Sequence, residues 1–117
     1  MSMKLVALLL LVMSGNVMAS QTYDLTATVK HNNKILTSPK LKLVEGHWEQ
    51  TKNDSCTYSS RVTAQPDHTL FVENEIFCGD AFFQPSFTLY PEGGEAALEV
   101  GVPDNLWNFA VSLLVQD

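Results

Sequence analysis

Apolar and polar residues alternate with a period of two along most of the chain beyond residue 22. Tyr23, Leu25, Ala27 and Val29 are apolar, and Asp24, Thr26, Thr28 and Lys30 lie between them. Successive side chains of a strand point to opposite faces, so this spacing predicts a half-buried strand. His31-Asn32-Asn33-Lys34 follows, and Asn tolerates positive φ, so a tight hairpin turn is expected there. Ile35-Leu36-Thr37 begins the return, and Pro39 marks a strand edge or bulge because it has no N–H to donate. Lys40 to Val44 resumes the alternation with Leu41 and Leu43 on one face, and His47 to Lys52 is a short strand carrying Trp48.

The stretch from Cys56 to Cys78 reads as a hairpin. Cys56, Tyr58, Ser60, Val62 and Ala64 share one face of the first arm, and Leu70, Val72, Asn74, Ile76 and Cys78 share one face of the second. Gln65-Pro66-Asp67-His68-Thr69 is the turn, since Pro presets φ and Asp can bond the backbone two residues on. Folding the chain about Asp67 sets Val62 opposite Val72, Ala64 opposite Leu70 and Cys56 opposite Cys78. Opposed antiparallel residues have Cα atoms about 4.5–5.5 Å apart, within the reach of a disulfide. The register that buries the apolar face therefore also permits a Cys56–Cys78 bridge.

Beyond Cys78, Gly79-Asp80 ends the arm, and Phe82 and Phe83 are read as core at a strand entrance. Ser86 to Tyr90 is a strand, Pro91-Glu92-Gly93-Gly94-Glu95 a turn, and Ala96 to Val100 a return. The last strand places Trp107, Phe109, Val111, Leu113 and Val115 on one face. No long stretch has helical period. Seven to eight short strands at roughly ten-residue spacing predict an all-β fold, an antiparallel β-sandwich or a partly open barrel.

The first residues change the picture of where this fold works. MSMKLVALLLLVMSGNVMAS has a positive Lys4, an apolar run from Leu5 to Met13 and Val17-Met18-Ala19. The run falls short of the roughly 20 residues of a membrane span. Residues 1–19 are expected to be a secretory signal peptide cut after Ala19, leaving residues 20–117 as a single domain. Two cysteines in an exported chain are most simply one bridge. A periplasmic or secreted protein with no integral membrane segment is the expectation.

Charge adds a polarity along the chain. After Ala19 there are six Lys and Arg against thirteen Asp and Glu, and no Lys or Arg follows Arg61. Nine acidic residues lie from Pro66 onward. Such a half repels phosphate, which argues against nucleic acid, and attracts a cationic surface. Phe71, Glu73, Glu75 and Phe77 share the outward face of the second hairpin arm, where aromatic anchors beside carboxylates suit a basic protein partner. Tyr90, Glu92 and Glu95 are the candidate for an acidic projecting loop.

Catalytic chemistry is thinly represented. His31, His47 and His68 lie in or beside turns with no zinc-ligand spacing. No cysteine is left free once the bridge forms, and no serine sits in a Gly-x-Ser-x-Gly elbow. Glu73 and Glu75 as a glycosidase pair would need a cleft that 98 residues leave little room for. No cofactor or metal is expected.

Within VKHNNKILTSPKLKLVEGHWEQT, residues 29–51, a strand, a polar turn, Ser38-Pro39, a second strand and Gly46 follow one another. This stretch resembles the "Ser-Pro … Gly" β-repeat of secretin-type outer-membrane assembly proteins and related small periplasmic domains. The resemblance implies a periplasmic accessory or interaction module and carries no catalytic residue. The expected function is a non-enzymatic exported protein-binding or assembly accessory domain. An acidic inhibitor or immunity-type protein blocking a basic enzyme cleft is the second expectation, and a small hydrolase the third.

Overall fold

A computed structural model describes residues 21–116. The expected signal peptide, residues 1–19, lies outside the described residues. The chain forms β1 (Thr22–His31), β2 (Lys34–Thr37), β3 (Lys40–Val44), β4 (Glu49–Lys52), β5 (Cys56–Ala64), β6 (Leu70–Cys78), β7 (Ala81–Phe83), β8 (Ser86–Leu89), β9 (Gly93–Val102) and β10 (Asn105–Gln116). All pairing is antiparallel and builds two sheets. The first has the order β2-β1-β10-β9, with β3 also on β1. The second has the order β4-β5-β6-β7, with β8 also on β6.

Ten strands replace the expected seven to eight, and two prolines account for the difference. Val29 faces Thr37 in β2 and Thr26 faces Lys40 in β3, so β2 and β3 continue one line along β1. Ser38-Pro39 interrupts it. Likewise Ile76 faces Phe83 in β7 and Glu73 faces Ser86 in β8, with Gln84-Pro85 between. Proline cannot donate to a ladder but its carbonyl can accept, which confines it to edge strands. Ala27 N–H donates to the Pro39 carbonyl at 3.0 Å, and Asn74 N–H donates to the Pro85 carbonyl at 3.1 Å. Each sheet is thus four lines wide, one outer line of each being cut by a proline.

The turns follow from their residues. Asn32 and Asn33 have φ of 53° and 69°, which asparagine accepts more readily than most residues. The Asn32 Oδ1 accepts from Leu106 N–H at 2.8 Å, tying this turn to β10. The hairpin register holds as expected: Cys56 faces Cys78, Val62 faces Val72 and Ala64 faces Leu70. Cys56 and Cys78 are bonded. In the turn, Thr69 N–H and Thr69 Oγ1 both donate to Asp67 Oδ1.

Those bonds from Thr69 hold the Asp67 carboxyl below its ordinary value. A group whose folded pKa is lowered stabilises the fold above its unfolded pKa, and this contribution fades as pH falls through the lowered value. Asp67→Ala should therefore narrow the difference in melting temperature between about pH 7 and about pH 3. Equal acid sensitivity in wild type and variant would show that the turn carboxylate does not contribute.

The core lies between the sheets. Tyr23, Leu25, Ala27 and Val29 of β1 and Trp107, Phe109, Val111 and Leu113 of β10 are buried against Tyr58, Val62, Val72 and Ile76 of the hairpin. Leu43 is buried and Leu41 packs beside it. Three polar side chains are buried here too. Tyr58 OH and Ser60 Oγ donate to Asn74 Oδ1 at 2.8 and 2.9 Å, and Asn74 Nδ2 donates to the Pro85 carbonyl at 3.1 Å. Burial raises the Tyr58 phenol well above its ordinary value, and burial with the nearby Glu45 charge raises Tyr23.

Candidate functional site

One side of the sandwich is left open by a mismatch of edges. β9 is an edge strand of ten residues paired with β10. At its start the chain passes from the second sheet to the first. Gly93 N–H donates to the Tyr90 carbonyl at 2.9 Å there, and Tyr90 bridges Gly93. A side chain at Gly93 would run into the Leu113 carbonyl, and its φ is 106°, so this close crossing requires glycine. Past that point β9 has no second neighbour among the described residues. The edge of the opposite sheet consists of β7 and β8, of three and four residues, broken by Pro85.

The consequence falls on the inward side chains of β9. Leu98 faces Phe109, Val100 faces Trp107 and Val102 faces Asn105 across the ladder, so they share the core side of the first sheet. They are nevertheless 41%, 38% and 61% exposed. Beside them, Phe83 packs on Trp107 and Phe109 with ring centroids 4.9 Å apart in both cases. An edge strand with an uncovered apolar flank results. The charges on and beside it are Glu92, Glu95, Glu99 and Asp104, with Lys30 two strands from Glu99 on the outer face.

The predicted site residues fall in three places. Phe71, Glu73, Glu75 and Phe77 do share the outer face of β6. Phe71 is only half-buried rather than open, and Phe77 stacks on Phe82 with centroids 4.3 Å apart. Phe82, expected in the core, is about half exposed because it faces Phe77 across the β6–β7 ladder on the outer face, while Phe83 turns inward. Glu73 accepts from Arg61 Nε and a terminal guanidinium nitrogen at 2.9 and 2.7 Å. Tyr90 and Glu92 belong to a tight turn rather than a projecting loop, although Tyr90 itself is 74% exposed. Glu95 lies on the outer face of β9, away from the open flank, in a groove of about 470 Å³ with Thr26 and Ser112.

Two features escaped the sequence reading. The β9 flank is one: the expected return strand ends at Val100, whereas β9 runs Gly93–Val102, and alternation cannot say whether a facing layer covers its inward side chains. Trp48 also stands on the outer face of the second sheet, with the Arg61 guanidinium 4.9 Å from its ring centre. Among the described residues, no group of three or more His, Cys, Asp or Glu side chains is placed to hold a metal ion. No helix among the described residues is long and apolar enough to cross a membrane.

Fold and surface together define a disulfide-bonded, two-sheet antiparallel β domain in which the edge strand β9 carries an exposed apolar flank. No protein-family profile, characterised protein or solved structure matches the chain.

Proposed function

We propose that this is a non-enzymatic, exported binding or assembly accessory domain, periplasmic or secreted, which accepts an extended segment of a partner protein along β9. The observation that carries the reading is the exposed apolar flank Leu98, Val100 and Val102 on a ten-residue edge strand. An edge strand offers unpaired N–H and C=O groups to another chain, and side chains on its covered face supply selectivity. A strand laid on β9 would set every second residue over Leu98, Val100 and Phe83. The likeness of Ser38, Pro39 and Gly46 to an assembly-protein repeat fits the same kind of role.

Charge selects the partner. The carboxylates along β9 favour a segment whose alternate residues are apolar and basic. They disfavour a second copy of this chain, since pairing β9 with itself brings Glu95 and Glu99 near their own equivalents.

The test uses a peptide of β9's own length, ten residues, with alternating Val and Lys. Binding should slow hydrogen exchange at Ala96 to Val102, weaken with added salt, and weaken at least about tenfold in Val100→Asp. Binding that leaves β9 exchange unchanged, or that Val100→Asp does not alter, would overturn the reading.

A further inference from the structure

The outer face of the second sheet carries a different chemistry from β9. The register of its strands sets Gln50 beside Ser59, and Ser59 beside Glu75. Gln50 Nε2 donates to Ser59 Oγ at 3.0 Å, and Gln84 Nε2 to Glu75 Oε2 at 3.4 Å. A continuous row of amide, hydroxyl and carboxylate groups therefore crosses β4, β5 and β6 to the segment between β7 and β8. Aromatic rings flank the row on both sides. Trp48 stands on one side, and the stacked Phe77–Phe82 pair stands on the other.

Trp48 is built as a platform. The guanidinium of Arg61 lies against its ring and is itself fixed by two bonds to Glu73. The indole is still 41% exposed. Shallow depressions of about 250 and 290 Å³ adjoin it, and both include Glu75. A ring held on one side by a cation and open elsewhere loses little freedom when a flat ligand stacks on it.

The face is also electrically balanced, unlike the chain as a whole. Lys52 and Arg61 offset Glu73 and Glu75. This balance gives no attraction for phosphates or polyanions, and little for a polycation. What the face offers is planar amides and a carboxylate, with donors and acceptors side by side between aromatic rings. Those groups match vicinal hydroxyls and the apolar face of a pyranose ring. We infer that this face binds an uncharged oligosaccharide, one ring stacked on Trp48 and its hydroxyls held by Gln50, Glu75 and Gln84.

The site is independent of β9, and the test keeps the two apart. The side-chain N–H signals of Trp48, Gln50 and Gln84 would be followed by NMR while cellotetraose, chitotetraose, maltotetraose and mannotetraose are added in turn, with a tetramer of galacturonic acid as the anionic comparison. At least one uncharged sugar should shift these signals saturably, with dissociation on the order of 1 mM. Trp48→Ala should weaken it at least about tenfold, while Gln84→Ala gives a smaller loss and Val100→Asp none. Preserved dispersion of the backbone spectrum shows that each variant is folded. Silence of the three signals with all four sugars, equal binding by Trp48→Ala, or preference for the anionic tetramer would each overturn the inference.

Discussion

Removing the bridge with Cys56→Ala and Cys78→Ala should lower the free energy of unfolding by about 3 kcal/mol. The two cysteines are 22 residues apart in sequence and directly opposed in the hairpin. In the chain-entropy account, the link restricts the unfolded chain far more than the folded one, where the ladder already holds both residues. Both are buried, so their replacement also removes packing at that end of the core. For a domain of this size the melting temperature should fall by roughly 15 °C. The hairpin pairing should survive in the variant, because Val62–Val72, Tyr58–Ile76 and Ala64–Leu70 fix the same register without the bond. Urea unfolding with and without reductant measures the effect. A wild-type protein whose midpoint is indifferent to reductant, with reduction of the bond verified by mass, would contradict it.

The second large effect is expected at Asn74. In Asn74→Leu the buried Tyr58 hydroxyl loses its acceptor, and the Pro85 carbonyl keeps only the backbone bond. A buried polar group left without a partner costs about 1–3 kcal/mol, so a total near 3 kcal/mol is expected. Tyr58→Phe alone should cost about 1 kcal/mol, because Asn74 Oδ1 retains the Ser60 hydroxyl. Combining Tyr58→Phe with Asn74→Leu should be milder than the sum of the two, since no orphaned phenol remains. Strict additivity in urea unfolding would mean that the hydroxyl and the amide do not depend on each other.

The reason for this polar cluster lies in the broken edge strand. Pro85 interrupts the line of β7 and β8 where Asn74 faces it, and the Asn74 backbone and side chain both bond the Pro85 carbonyl. The cluster therefore seals the gap that the proline leaves. A reading of alternation places Asn74 among apolar inward residues but offers no partner for it. The partners come from β5 and from the segment after β7.

Much of the architecture was legible because it is local. Period-two alternation assigned the inward faces of β1, β5, β6 and β10, since strand geometry leaves no other outcome once a sheet forms. The Asn32-Asn33 turn, the Asp67 turn and the opposition of Cys56 and Cys78 follow from short-range backbone preferences and counting. The strand count was underestimated because a proline on an outer strand cuts the ladder without changing its line, and β9 is longer than the expected Ala96 to Val100 because Gly93 to Glu95, expected in a turn, already pair with β10.

The candidate surfaces were not legible in this way. The hairpin register already sets Arg61 opposite Glu73, but only the folded sheet shows the guanidinium bonded to that carboxylate. Trp48 reads as one residue of a short strand until β4 docks beside β5 and brings Arg61 against its ring. Leu98 and Val100 read only as part of a short return strand, and Val102 falls outside it, until β9 pairs with β10 along its whole length. By itself the sequence determined an all-β chain, the inward faces of its main strands, the stapled hairpin and the acidic second half, because each depends on spacing along the chain. Only the tertiary structure decided that a ten-residue edge strand faces a shorter, proline-broken one, leaving its apolar side uncovered, because coverage depends on the relative lengths of two sheets that meet far apart in sequence.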